Sequence, residues 1–203
     1  MPREPHVIHT LTTVSGVVIL VVVVVLVGAI LLYGVATFNK LVRQRNQVES
    51  SWAQIDVQLT RRHDLIPNLV ETVKGYAAHE RATLEAVVAA RQGAVDAQQS
   101  GAAPGQLAEK ENVLTQTLGR LFALAEAYPD LKANQNFLQL QAELVSTEDK
   151  IAYARQFFNT AVQTLNTTVE SVPSNVVAGV AGIRKREYFE AVGDQRNAAS
   201  VRF

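Results

Sequence analysis

The sequence contains no cysteine among its 203 residues. This absence excludes a disulfide framework, thiolate zinc sites, iron–sulfur ligation and a cysteine nucleophile. Aromatic residues make up only 6% of the chain, and glycine and proline are also sparse, at 11 and 6 residues. An aromatic-rich β-sandwich and a low-complexity chain are therefore both poor descriptions of this composition.

The chain also has no surplus of charge of either sign, because 19 Lys and Arg balance 19 Asp and Glu. This balance removes the general electrostatic argument for binding nucleic acid or another polyanion, so we expect no nucleic-acid partner. The charges are unevenly distributed, however, since positions 5–39 contain no Asp, Glu, Lys or Arg.

The centre of this uncharged stretch, from Val14 to Tyr33, is almost entirely apolar. A helix of about 20 residues rises about 30 Å, which is the thickness of the hydrocarbon core of a bilayer. A lone strand in lipid would leave its backbone groups unpaired, so the valine-rich run favours a helix there. We therefore predict a short N-terminal segment over residues 1–13 and a transmembrane helix over residues 14–36 that contacts the lipid bilayer.

A cleaved signal peptide is the alternative interpretation of this stretch, with small residues at 34–36 as the cleavage site. Its apolar core exceeds the usual ~7–15 residues and Arg3 is the single Lys or Arg before it, so the anchor is favoured. Lys40, Arg43 and Arg45 follow the stretch. By the positive-inside rule, this bias predicts that the N-terminus is outside and the large C-terminal part is cytoplasmic.

The rest of the chain shows a heptad periodicity that predicts long helices. Along a last helix of about 42 residues, roughly 60 Å long, apolar residues recur every seven positions: Phe137, Leu144, Ile151, Phe158, Leu165 and Val172. Similar rows include Leu107, Leu114, Leu121 and Tyr128; Leu41, Val48 and Ile55; and Val70, Val73, Ala77, Leu84 and Val87. Helices with one apolar stripe each bury those stripes together. The predicted fold is all-α: the transmembrane helix, then an antiparallel four-helix bundle with long helices over residues 38–190, then a flexible tail over residues 191–203.

Prolines mark the predicted helix boundaries, because proline is tolerated in the first turn of a helix and disrupts its interior. Pro67 therefore indicates either a reversal between two helices, capped by Asp64, or a kink in one continuous helix. Gly75 falls inside the second predicted helix, where it is unfavourable relative to alanine. Residues 101–105, which include two glycines and a proline, form the clearest loop.

Patterns for metal binding and catalysis are incomplete. His79 and Glu80 begin like a zinc-protease helix, but Thr83 stands where the second histidine ligand is required. Neither His63 nor His79 lies in the Glu-x-x-His pair of a di-iron bundle. The sequence also lacks the nucleophile elbow, the Walker loop and the dinucleotide-binding glycine motif. We therefore predict no metal, no cofactor and no catalytic residue.

Several specific blocks run from the end of the anchor to residue 190. They are Trp52–Leu59, Arg61-Arg62, Asp64–Ala77, His79-Glu80, Glu126–Asn134, Asn136-Phe137, Pro173–Asn175 and Arg186–Glu190. These blocks closely resemble the LemA family of bacterial membrane proteins over residues 38–190. The chain departs from the family pattern at His63, where tyrosine is usual, and at Val172 and Ile183, where phenylalanine is usual. These departures put local packing in doubt.

The resemblance implies a single-pass N-terminal anchor in the bacterial inner membrane, followed by a helical bundle without established enzymatic chemistry. Two associations of the family bear on partners and not on chemistry: family members are associated with membrane-organelle formation in magnetotactic bacteria, and some lie beside genes for membrane metallopeptidases.

Three functions are consistent with these observations. The leading hypothesis is a non-enzymatic, membrane-anchored scaffold that forms homo-oligomers or organises membrane-protein partners at the bacterial membrane. The second is an adaptor or regulator of a membrane protease or sensor complex. The third is an enzyme, which requires His79, Glu80, Asp56 or Arg62 to converge in one pocket.

Polar residues at two predicted helix junctions are the candidate interaction residues. They are Arg61, Arg62, Asp64 and Asn68 at the first junction, and Tyr128 and Asn134 at the second. The competing and favoured interpretation is that Asp64, Asp130 and the asparagines cap helices and fix loop geometry.

Overall fold

The structure is a computed structural model that describes residues 5–190, with side chains from residue 18 onward. The described helices are α1 (Pro5–Lys74), α2 (Arg81–Gln99), α3 (Pro104–Ala125), α4 (Pro129–Lys132), α5 (Gln135–Glu170) and α6 (Ser174–Val180). The described part contains no strand, and the predicted all-α class is confirmed. The predicted tail at 191–203 and the first four residues lie outside the described residues.

The first helix joins the apolar stretch to the rest of the protein without a break. It comprises 70 residues, so it is about 105 Å long. From Val18 to Val35 its large apolar side chains are exposed. Among the described residues, it is the one helix long and apolar enough to cross a membrane, and its apolar window is not covered by the rest of the chain. This agrees with the predicted N-terminal anchor.

Pro67 does not reverse the chain, because α1 continues through it to Lys74. Asp64 therefore lies inside α1 and does not cap a helix. Proline has no N–H, so the carbonyl four residues earlier, that of His63, loses its helical partner. Arg91 of α2 replaces that partner, since its Nε donates a hydrogen bond to the His63 carbonyl oxygen at 2.7 Å. The contact between α2 and α1 thus supplies a hydrogen-bond donor to the one carbonyl that loses its helical partner at Pro67.

The reversal occurs instead after Lys74, so the prediction that Gly75 lies inside a helix is wrong. A turn closed by two backbone hydrogen bonds follows α1: Tyr76 N donates to Val73 O at 3.0 Å, and Ala77 N donates to the same oxygen at 2.8 Å. Ala77 is still buried against the core. The apolar row was thus identified correctly, although a loop interrupts it.

The last long helix is shorter than predicted. α5 has 36 residues and ends at Glu170, so Val172 is not part of its seam and is 81% exposed. The physical reason is Pro173, because a residue that precedes proline is disfavoured in the α conformation. The five earlier seam residues are all buried, as the heptad pattern predicts: Phe137, Leu144, Ile151, Phe158 and Leu165.

Side-chain contacts show that α1 runs antiparallel to both α5 and α2. Along α1, Gln44 bonds to Thr168 and Arg61 pairs with Glu143, so position numbers rise on α1 as they fall on α5. Arg91 and Gln98 of α2 reach α1 at successively earlier positions in the same way. The α2–α3 connection is short, and these two helices pack against each other.

Buried apolar side chains form two clusters at successive levels of α1. The distal core lies farther from the exposed apolar half of α1 and includes Ile66, Leu69, Val73, Val87, Leu114, Leu121 and Leu144. The proximal core includes Leu41, Val48, Ile55, Leu59, Ile151, Phe158, Leu165 and Phe189. Each fully buried side chain of this size contributes about 1.5–3 kcal/mol through removal from water.

After α6 the chain turns at Gly182, whose φ of 66° suits glycine because it has no Cβ. Residues 183–190 then return along α5 without forming a helix. Ile183 and Phe189 are buried in the proximal core at the two ends of this segment, and residues 184–188 between them are exposed.

Candidate functional site

The structure places the six predicted interaction residues in three different surroundings. Arg61 is half exposed and lies 3.8 Å from Glu143 of α5. Asp64 and Asn68 are exposed on α1. Arg62 is only 3% exposed, so its guanidinium is not available to a partner. Its neighbours show that it belongs to an internal cluster.

This buried ionic layer consists of Arg62 and His63 of α1, Glu111 and Thr115 of α3, and Glu148 of α5. Arg62 Nη1 lies 3.0 Å from Glu148 Oε2 and 3.5 Å from Glu111 Oε2. Its Nη2 donates to the Thr115 hydroxyl at 2.6 Å. His63 Nε2 lies 2.8 Å from the other Glu111 oxygen. Three helices therefore meet around a single arginine.

The burial of these charges makes the layer energetically demanding. Glu111 is 2% exposed, and its Oε2 has no hydrogen-bond partner among the described residues. A buried ion pair loses hydration that its mutual attraction only partly returns, whereas removal of one partner typically costs about 3–5 kcal/mol. The layer therefore adds little net stability and strongly penalises any packing that separates Arg62 from Glu111.

The layer lies between the two apolar cores. On α1 it falls between Leu59 and Ile66, and on α3 between Leu107 and Leu114, which are all buried. A sequence signal exists for it, because Glu111 is the one charged residue in the row Leu107, Glu111, Leu114, Leu118, Leu121 and Ala125. A heptad pattern defined by apolar positions alone does not include this residue.

The geometry of the layer does not resemble a reaction centre. Arg62, His63 and Glu111 are buried between the helices, whereas the Glu148 side chain is 41% exposed at the edge of the layer. None of the three buried residues lines any of five cavities found among the described residues. Among those residues there is also no group of three or more His, Cys, Asp or Glu side chains that could hold a metal ion.

The four side chains required by the enzyme hypothesis do not converge. Asp56 accepts a hydrogen bond from Gln98 at 2.7 Å, on the outer face between α1 and α2. Glu80 accepts one from the Tyr128 hydroxyl at 3.0 Å, and His79 is exposed beside it. Arg62 lies in the buried layer. The convergent pocket that catalysis by these residues needs is not formed.

Tyr128 and Asn134 lie together at the distal end of the helices. The hydrogen bond to Glu80, aided by partial burial and by the charge of that carboxylate, raises the pKa of Tyr128 above its usual value. Asn134 Nδ2 donates to the Tyr76 hydroxyl at 2.9 Å. Its Oδ1 accepts from Phe137 N at 3.0 Å, so Asn134 is the N-cap of α5, as the capping interpretation predicts.

An exposed apolar face was not identified from the sequence. Val57 of α1 and Tyr153 and Phe157 of α5 lie beside one open cavity of about 650 Å³, and they are 61%, 75% and 49% exposed. We call these three residues the α1–α5 apolar face. The heptad pattern includes Phe158, which is buried, and does not include its neighbour Phe157, which is exposed.

Comparisons with known proteins place the chain among bacterial relatives. Magnetosome protein MamQ 2 of Paramagnetospirillum magneticum is 26% identical over 175 residues, covering 75% of this chain and 64% of the relative. Magnetosome protein MamQ of Magnetospirillum gryphiswaldense is 25% identical over 174 residues, with the same coverage. Protein LemA of Metamycoplasma hominis is 24% identical over 153 residues, covering 75% of this chain and 68% of the relative.

The chain thus spans about 64% of the length of the MamQ relatives that it matches. A family model described as the LemA family matches residues 51–203. That range contains the buried ionic layer, the α1–α5 apolar face and the segment that returns along α5. The predicted resemblance is therefore confirmed, and the chain belongs to the LemA family.

Proposed function

We propose that this protein is a non-enzymatic, membrane-anchored helical scaffold that self-associates and thereby organises partners at the bacterial membrane. Membership of the LemA family and similarity to two proteins named as magnetosome proteins support a role at a membrane. In this proposal the anchor spans residues 14–36, and residues 38–190 form an antiparallel four-helix bundle of α1, α2, α3 and α5. The anchor lies in the inner membrane with the bundle on the cytoplasmic side.

The continuity of α1 supports the scaffold role. The same helix carries the exposed apolar stretch and contributes to both cores, so the anchor and the packed helices are joined without a flexible linker. In copies that share one membrane, the packed helices therefore lie at the same distance from the bilayer, and the α1 helices point in the same direction. Val57 lies about 30 Å along α1 from the end of the anchor at residue 36, and this distance is common to all copies.

The observation that carries the proposal is the α1–α5 apolar face. Tyr153 and Phe157 are large aromatic residues that lie next to Val57 and remain exposed. Exposed apolar clusters of this kind mark interaction sites more often than isolated apolar residues do. A second copy at the same height presents the same face, so a two-fold contact between identical patches satisfies both.

Crosslinking in intact membranes tests self-association. We expect wild-type dimers or larger species, and a loss of most of them in the double variant Tyr153→Ser/Phe157→Ser. The control is Val88→Ser/Val113→Ser, which removes two other half-exposed apolar side chains, from α2 and α3, and should leave the crosslinks unchanged. Recovery of monomers alone from wild-type membranes would overturn the proposal.

The second candidate function is an adaptor for a membrane protease or sensor complex. The distal end favours it, because two hydrogen-bonded polar pairs, Tyr128 with Glu80 and Asn134 with Tyr76, lie there, at the point farthest from the anchor. Together with the exposed Asp64 and Asn68 they form the candidate partner surface. Pull-down in mild detergent distinguishes the two functions, since an adaptor gives a fixed ratio to a second protein and a scaffold gives homo-oligomers.

A further inference from the structure

The segment at residues 183–190 is held on α5 in the way that a peptide ligand is held. Asn166 pairs with both main-chain groups of Arg186: its Nδ2 donates to the carbonyl at 2.9 Å, and its Oδ1 accepts from the amide at 2.9 Å. Asn159 does the same for Phe189, accepting from the amide at 2.9 Å and donating to the carbonyl at 3.4 Å.

The spacing of these two asparagines matches an extended chain. They are seven positions apart on α5, so they are separated by two helical turns, or about 10.5 Å. Arg186 and Phe189 are three positions apart, which is about 10 Å in an extended backbone. Because the contacts go to main-chain groups, they recognise an extended backbone whatever its side chains.

Specificity comes from the end of the segment. Phe189 is fully buried and its ring lies 5.6 Å from that of Trp52, edge on, with the Arg155 guanidinium 5.5 Å from the ring centre. The next side chain, that of Glu190, accepts from Asn159 Nδ2 at 3.2 Å. We call this surface of α5, with Trp52, the segment groove. It selects a phenylalanine followed by a carboxylate.

Release of the segment breaks the hydrogen bonds to Asn159 and Asn166 and removes Ile183 and Phe189 from the proximal core. The pairs of Lys185 with Glu170 at 2.6 Å and of Arg186 with Glu49 at 3.7 Å are solvent-exposed and oppose release little. The hinge before the segment is the turn at Gly182. Every contact that the segment makes in its own groove is available unchanged in the groove of a neighbouring copy. The equilibrium between the two bound states therefore depends on the conformation of the hinge and on the local concentration of neighbouring copies.

We infer that the segment groove is a site for the 183–190 segment of a second copy, and that exchange of this segment links copies at the membrane. This inference rests on the proposed scaffold function and specifies a contact distinct from the α1–α5 apolar face. The common anchor holds each groove level with the neighbouring segments. Because the hinge is short, exchange requires neighbours in direct contact. Each exchanged segment joins two copies head to tail, which produces a ring or an open chain.

Site-specific crosslinking between two tagged copies tests the exchange, because the natural chain has no cysteine. One full-length copy carries Gln156→Cys and the other carries Tyr188→Cys, two exposed positions that line the same cavity beside the groove. A short bismaleimide is added to membranes that contain both copies. A single chain with both cysteines gives the intramolecular reference. We expect a crosslinked pair with both tags at a yield within about threefold of that reference.

Two further variants establish that such a pair depends on the groove. Phe189→Ala in the copy with Tyr188→Cys should reduce the mixed product at least fivefold, whereas Glu187→Ala, at an exposed position of the same segment, should not. Asn166→Ala in the other copy should also reduce the product, which guards against misfolding of the Phe189 variant. Efficient intramolecular crosslinking without a mixed product would overturn the exchange. So would a mixed product that is insensitive to both Phe189→Ala and Asn166→Ala.

The outcome is separable from that of the scaffold proposal. Wild-type oligomers that require Tyr153 and Phe157, found together with no mixed product, would retain the scaffold and reject segment exchange. Absence of both would reject both.

Discussion

The hydrogen bond from Arg91 to the carbonyl of His63 gives a quantitative prediction about why α1 passes through Pro67. Replacing Arg91 with methionine retains an apolar stem of similar reach and removes the Nε donor. The His63 carbonyl then has neither its helical N–H, which Pro67 lacks, nor its replacement. A buried acceptor left without a partner costs about 1–3 kcal/mol. Since Arg91 is only partly buried, we expect a loss of about 1–2 kcal/mol.

The same substitution should cost less when position 67 can donate. In the variant Pro67→Ala, the new N–H faces the His63 carbonyl in the helix, so removal of the arginine no longer orphans it. We expect Arg91→Met to cost only about 0.5 kcal/mol there, and the double-mutant cycle to show a coupling of about 1 kcal/mol. For about 150 packed residues, this coupling corresponds to a difference of about 2–4 °C in melting temperature.

The single tryptophan provides the assay. Trp52 packs against Phe158 with ring centres 5.2 Å apart, so its fluorescence reports unfolding of the proximal core while the anchor remains in detergent. Denaturant titrations of the full-length protein and the three variants yield the four free energies of the cycle. Arg120→Met, at an exposed position of α3, is the matched control and should show no coupling to Pro67→Ala. An equal cost of Arg91→Met in both backgrounds, within about 0.3 kcal/mol, would refute the explanation.

Three further predictions concern the buried layer and the distal end. Glu111→Leu should destabilise the protein by about 1–3 kcal/mol in the same titration, because it removes the buried partner of His63 and one of the two carboxylates of Arg62, whose pair with Glu148 remains; a loss below about 0.5 kcal/mol would show that the layer is hydrated. Because the pKa of Tyr128 is raised in the folded protein, its bond to Glu80 stabilises the fold fully below about pH 10 and loses that effect as the pH rises through the folded pKa. Wild type should therefore melt above Tyr128→Phe at pH 8 and lose this advantage at high alkaline pH, and a difference that persists there would contradict the assignment. Asn134→Ala should cost about 1 kcal/mol through loss of the α5 cap, whereas Asn136→Ala, two positions later, should cost much less.

The sequence predicted which helical faces are buried better than it predicted where the helices end. Heptad spacing identified the buried residues of α1, α3 and α5, because burial of one helical face is a local and periodic property. Whether a helix ends at a proline depends on whether the carbonyl that loses its hydrogen bond finds another donor. Pro67 did not end α1 because Arg91 satisfies the freed carbonyl, and the two residues are too far apart in sequence for a local pattern to connect them. The other two breaks have different causes: α1 ends before Gly75, a residue that is unfavourable inside a helix, and α5 ends at Glu170 because Pro173 disfavours the α conformation in the residue before it.

The candidate site was less accessible to sequence reasoning for a related reason. Arg62 was selected as a candidate interaction residue because it lies at a predicted helix junction, whereas its burial depends on Glu111 and Glu148 from two other helices. The pairing of Asn159 and Asn166 with the returning segment is equally non-local. Only their separation of seven positions marks them as lying on one face of α5, and many asparagine pairs share that spacing without a ligand.

The arrangement of apolar and ionic layers bears directly on the proposed scaffold. An uninterrupted leucine and valine seam permits neighbouring helices to slide by a heptad at modest cost, because one apolar layer resembles the next. The layer of Arg62 and Glu111 removes that freedom, since any slip places unpaired charges against one of the two cores. The register of α1 against α3 and α5 is therefore fixed. With it are fixed the height of the α1–α5 apolar face and the distance of the segment groove from the membrane. A scaffold that joins identical copies needs these heights to agree, so the stability given up by the buried charges is consistent with selection for a uniform geometry.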